Sequence, residues 1–121
     1  LTEEVYTVAL LADHKGQTRP SVIGDEYMVD AMIDVSTYDA SGVVLSASDF
    51  GLGKITAICN TGIANVLFYP TFVMSGTTGA YTSDSTVTML IVQNLQATPA
   101  EVADGGTHSG MQFRVRVWGN I

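Results

Sequence analysis

Tyr27-Met28-Val29-Asp30-Ala31-Met32-Ile33-Asp34-Val35 decides the fold class of this 121-residue chain. Tyr27, Val29, Ala31, Ile33 and Val35 recur at every second position, and Asp30 and Asp34 fall on the opposite side. Period two marks a strand with one face in a core and the other in water. A helix would also bring the two aspartates to one side, but its remaining apolar residues would wrap all the way round. A strand is therefore expected. The last segment repeats the pattern: Met111, Phe113, Val115 and Val117 point one way, and Gln112, Arg114, Arg116 and Trp118 the other.

Shorter strands are expected between and before these two. Residues 5–11 place Tyr6, Val8 and Leu10 on one face, a strand pattern with a helix as the alternative, and 43–45 follow a turn at Asp39-Ala40-Ser41-Gly42. Segments 54–59, 66–74 and 85–92 complete the set. Pro70 cannot donate to a ladder, so its strand must lie at an edge or bulge there. Gly76-Thr77-Thr78-Gly79 reads as a loop leading into Thr82-Ser83-Asp84. Two short helical turns carry capping-box spacing: Ser46 to Asp49, limited by Gly51 and Gly53, and Thr98-Pro99-Ala100-Glu101, stopped by Gly105 and Gly106. Short strands punctuated by turns predict an all-β, single-domain antiparallel β-sandwich over residues 1–121, jelly-roll or immunoglobulin-like, with an N-terminal arm or loop at 12–26.

Composition narrows the function. Hydrophobic residues make up 46% and charged residues 14%, which excludes a disordered tail. With 12 Gly, 14 Val and 14 Thr the chain is suited to strands and tight turns. Five Lys and Arg against 12 Asp and Glu give a net charge of −7, a surface that repels phosphates, so no nucleic-acid partner is expected. One cysteine excludes an internal disulfide framework and a multi-cysteine zinc site. Residues 1–4 are acidic where a secretory signal would be basic, and the longest apolar stretch, 64–74, is interrupted by Asn65, Pro70 and Thr71. Spanning a bilayer takes about 20 apolar residues, so no membrane partner is expected.

No catalytic constellation is legible. Asp49-Phe50-Gly51 spells the magnesium-binding triplet of protein kinases, but the other kinase motifs are missing. Phe50 and Leu52 are instead expected to tuck beneath a turn that the glycine permits. Gly51-Leu52-Gly53 lacks the third glycine of a dinucleotide loop. His14 and His108 are the only histidines, both in Gly-containing polar loops, and Cys59 reads as a small core residue ending an apolar strand. The eight aspartates form no calcium loop, and Asp30 and Asp34 lie about 13 Å apart at strand rise, too far for one ion. The two are expected to be solvated outer-face carboxylates. A non-enzymatic protein without cofactor or metal is expected.

Interface residues are more promising. Arg114 and Arg116, two of the five basic residues, lie on the final strand beside the only Trp, Trp118. Arg and Trp are frequent interface anchors, so the three are expected to form a docking patch for an acidic partner or a neighbouring copy. The other basic cluster, at 14–20, contributes Lys15 and Arg19, either as an inter-strand loop or as an arm reaching to a neighbour.

Asp34-Val35-Ser36-Thr37-Tyr38-Asp39-Ala40-Ser41-Gly42-Val43-Val44, followed by Ala47-Ser48-Asp49-Phe50-Gly51-Leu52, resembles small virion structural proteins of tailed bacteriophages, particularly marine ones. The alternation from Phe113 to Trp118 fits the same pattern. The resemblance covers the middle third of the chain with support at the C-terminus. It departs from the pattern at Ala64-Asn65-Val66-Leu67-Phe68-Tyr69-Pro70, where relatives carry a Gly-Tyr-x-Phe-x-Tyr-like segment. It implies a capsid decoration, or cement, protein: a β-sandwich on the outer capsid surface of the virion, often trimeric. Its implied partners are the major capsid protein and copies of itself. The competing class is a carbohydrate- or receptor-binding module or a minor tail or fibre component, for which Tyr6, Tyr38, Tyr69, Tyr81 and Trp118 are the aromatic candidates.

Overall fold

The computed structural model describes residues 5–12, 15–16, 18, 21–24, 26–40, 42–74, 85–93, 99–102 and 110–121. Among the described residues nine strands follow one another: β1 (Val5–Leu10), β2 (Ser21–Ile23), β3 (Glu26–Thr37), β4 (Val43–Ser46), β5 (Lys54–Ile63), β6 (Phe68–Val73), β7 (Thr86–Gln93), β8 (Ala100–Glu101) and β9 (Gln112–Asn120). They form two antiparallel sheets packed as a β-sandwich. The first runs β1-β3-β9-β5, with β2 continuing along the β1 edge of β3. The second runs β4-β7-β6, with β8 taking up β7 where β4 ends.

Strict alternation builds the core. Val29, Ala31, Ile33 and Val35 of β3 and Phe113, Val115 and Val117 of β9 are all buried, and they meet Val43, Leu45, Val87, Met89, Ile91 and Phe68 from the second sheet. Tyr6, Val8 and Leu10 of β1 pack against this cluster from one side. Sheets about 10 Å apart leave room for one interdigitated layer of this kind.

The Ser46–Asp49 turn forms as its spacing predicts. Ala47–Phe50 is a 3-10 turn in which the Ser46 N–H donates to Asp49 Oδ2 at 3.0 Å. Gly51 ends it with φ 74°, the left-handed region, and Phe50 and Leu52 are buried beneath. Gly42, at φ 101°, closes the predicted turn by donating to Asp39 O at 2.8 Å. Pro70 lies on β6, an edge strand of its sheet, as its missing donor requires.

Three expectations need correction. Ala100 and Glu101 form no helical turn. They pair as β8 with Gln93 and Val92, because β4 stops short and leaves that edge of β7 open. Within the expected arm or loop at 12–26, residues 21–23 form β2 and Glu26 already begins β3. Cys59 is exposed, not core. Register shifts between Ile55 and Ala57 and between Asn60 and Gly62 set two residues of β5 against one of β9, so the inward phase passes from Ile55 to Ile58 and skips Cys59. The loop at 76–79, Thr82-Ser83-Asp84, the N-cap Thr98 and the stop at Gly105 and Gly106 lie outside the described residues.

Candidate interaction face

Cross-strand register assembles the outer face of the first sheet. Because β3 and β9 are antiparallel neighbours, Met28 stands opposite Trp118, Asp30 opposite Arg116, Met32 opposite Arg114 and Asp34 opposite Gln112. On the far side of β9, Ala57, Cys59 and Gly62 oppose Trp118, Arg116 and Arg114. Thus Arg114, Arg116 and Trp118 share one face, as their spacing predicts. Lys15 lies apart, exposed in the β1–β2 connection. Arg19, His14, His108 and Tyr81 lie outside the described residues.

The two arginines differ. Arg116 Nε donates to Asp30 Oδ1 at 2.8 Å and its terminal nitrogen to Oδ2 at 3.1 Å, a bidentate pair. Gln112 donates to Asp34 Oδ2 at 3.3 Å. Both aspartates expected to be solvated are therefore tied to β9. The Arg116 hydrogen bond holds the Asp30 carboxyl below its ordinary value of 3.8, and the charges of Arg116 and Arg114 add to this while partial burial opposes it. A depressed carboxyl contributes stability that is present above its unfolded value and is lost as pH falls through the folded one. Asp30→Asn should therefore reduce the steepness of acid unfolding below about pH 4 while costing no more than about 1 kcal/mol at neutral pH, since the Arg116 side chain is 41% exposed. Urea midpoints of both proteins across this pH range are the check.

Arg114 makes no ion pair with any described residue. It borders an open groove of about 210 Å³ whose other walls include Met32, Gly62, Ile63 and Ala64. Gly62 creates the space: a Cβ there would come within 3.5 Å of Arg114 Cβ. Beyond the groove the β5–β6 turn exposes Val66 and Leu67, held by Leu67 N–H donating to Asn65 Oδ1 at 3.0 Å. The site thus combines an apolar trough with a guanidinium on its rim. The sequence shows the arginine but not the groove, which needs the β5 register.

The outer face of the second sheet is different in kind. β4, β6 and β7 contain no Asp, Glu, Lys or Arg. Their outward positions carry Val44, Thr88, Leu90, Val92, Tyr69, Thr71 and Val73. No three His, Cys, Asp or Glu side chains converge among the described residues, and no helix among them is long and apolar enough to cross a membrane. Comparison of the chain with protein-family models, curated proteins and solved structures gave no match.

Proposed function

We infer that the chain is a non-enzymatic virion protein, a decoration (cement) subunit that binds the outer face of a major capsid lattice and stabilises a tailed-phage head. The resemblance at 34–44 and 47–52 supports this reading. The observation that carries it is Arg114: on a chain of net charge −7, a guanidinium without an ion pair among the described residues borders an apolar groove. Such a rim suits a capsid loop that presents an apolar side chain beside a carboxylate. A contact this small is weak alone, but repetition over a symmetric lattice multiplies it.

The test is binding of the purified chain to heads that lack it. Arg114→Glu should weaken binding at least tenfold, about 1.4 kcal/mol per site. Arg116→Ala should weaken it less, because that charge is already engaged by Asp30. Wild-type binding by Arg114→Glu would refute this docking face. Trp118, half-buried on the same face, supports the second reading, a carbohydrate- or receptor-binding module or minor tail component. Saturable binding of a soluble glycan, quenched in Trp118→Ala, would favour it.

A further inference from the structure

The outer face formed by β4, β7 and β6, which lacks charged residues, is a liability if left bare. Contiguous exposed apolar surface on a soluble protein marks a place of association. Here nothing charged stands on β4, β6 or β7, although the first sheet carries Glu26, Asp30, Asp34, Arg114 and Arg116 on its outer side. Val44 is 45% and Val73 55% exposed. Glu101, at one corner, accepts a hydrogen bond from the Tyr38 hydroxyl.

We propose that this face, formed by β4, β7 and β6, pairs with the same face of a second copy of the chain. Two observations select a second copy over another partner. The first is charge. A chain of net −7 repels its own copies, and this is the described sheet face through which they can meet without opposing like charges. It also holds no charge pattern by which to select a charged partner.

The second is register. Val44, Thr88 and Val73 form one row across the three strands, with Thr88 on the central strand and a valine at either end. A two-fold axis along β7 sets Val44 of one copy against Val73 of the other and Thr88 near Thr88, the self-complementary arrangement an isologous contact needs. Gly42 leaves room for the side chains of this row and the next to lie over β4, since a Cβ there would stand 2.6 Å from Thr88 Cγ2 and 2.8 Å from Leu90 Cδ2. Aligned stacking of sheets is an established way to bury such surfaces.

The face is small. Three strands spaced about 4.8 Å apart and some six residues long span roughly 14 Å by 20 Å. That is below the roughly 800 Å² per partner of a standard interface, so the pair is weak in solution and forms at high concentration. The inference does not depend on the docking role of the first sheet, and its test uses the purified chain alone.

Sedimentation equilibrium up to about 1 mM protein, at about 50 mM and about 500 mM salt, reads the association; this change shortens the Debye length from about 14 Å to about 4 Å. A monomer–dimer equilibrium that tightens several-fold in high salt is expected, because screening removes the repulsion and leaves the apolar contact intact. Val73→Lys and Val44→Lys each reduce the net negative charge, yet each should weaken pairing at least tenfold. Arg114→Glu should leave it within twofold once salt screens the added charge. Circular dichroism and urea midpoints confirm that each variant is folded. Should one lysine variant not fold, Thr88→Asn tests the centre of the same row. A monomer under all conditions, a trimer, or an oligomer dissolved by Arg114→Glu and untouched by Val73→Lys would overturn the proposal.

Discussion

Replacing Gly119 by alanine should destabilise the fold by more than about 4 kcal/mol or prevent it from forming. Gly119 lies on β9 between Tyr27 of β3 and Ile55 of β5. A Cβ at this position would stand 1.9 Å from the Lys54 carbonyl oxygen and 3.2 Å from Leu52 Cδ1. The first obstacle is backbone, which cannot rotate away as a side-chain tip would. Relief requires moving β5 off β9, which breaks the hydrogen bond from Gly53 N–H to Asn120 O at 2.7 Å and opens the core above Ile55. Overpacking of a side chain usually costs about 1–3 kcal/mol, and a clash with a ladder carbonyl exceeds that range. Gly62 supplies the control on the same pair of strands. Its added Cβ would meet only Arg114 Cβ at ordinary contact distance, so Gly62→Ala should change stability by less than about 1 kcal/mol. Urea unfolding of both variants, followed by Trp118 fluorescence, makes the comparison.

Tyr38→Phe should cost about 2–3 kcal/mol, although it removes a single oxygen. Tyr38 is fully buried at the end of β3 and its hydroxyl enters the break between β4 and β8 on the edge of β7. There it accepts the buried Ile91 N–H at 3.2 Å and donates to Glu101 Oε2. Phenylalanine leaves the Ile91 N–H with no partner in a dry site, and β8 loses its tie to the first sheet. For a chain of this size the loss corresponds to a fall in Tm of about 10 °C.

The same contact gives an alkaline signature. Burial pushes the Tyr38 phenol above its ordinary value of 10.0, reinforced by its hydrogen bond to Glu101 and opposed by the Ile91 N–H. Its contribution is complete below the unfolded value and is lost as pH rises, because the unfolded phenol releases its proton first. Wild-type stability should therefore decline by up to about 1.4 kcal/mol per pH unit above pH 10, and Tyr38→Phe should lack that component of the slope. Equal alkaline slopes for the two proteins would count against the buried hydroxyl.

How far the sequence reveals this arrangement depends on whether a strand keeps its period. β3 and β9 alternate without interruption, so their core and outer faces are legible residue by residue. β5 is not legible beyond Ile55, because two bulges break the count, and the first of them, between Ile55 and Ala57, is what turns Cys59 outward. Thr98-Pro99-Ala100-Glu101 has the local chemistry of a helix start, but so short a helix has little stability of its own. The open edge of β7 offers its backbone better partners. The Asp30–Arg116 pair required knowing that β3 and β9 are neighbours. Both charges were visible on outer faces, and only the register joins them. The uncharged β4-β7-β6 face is not legible in the sequence, because its residues come from three separate segments, none unusual alone.

Quantitative mass spectrometry of purified particles tests the central claim most directly, by comparing the amount of this chain with that of the major capsid protein. The decoration reading predicts a one-to-one ratio or a simple fraction of it. A few copies per particle, or none, would contradict it and favour a tail or receptor-binding role.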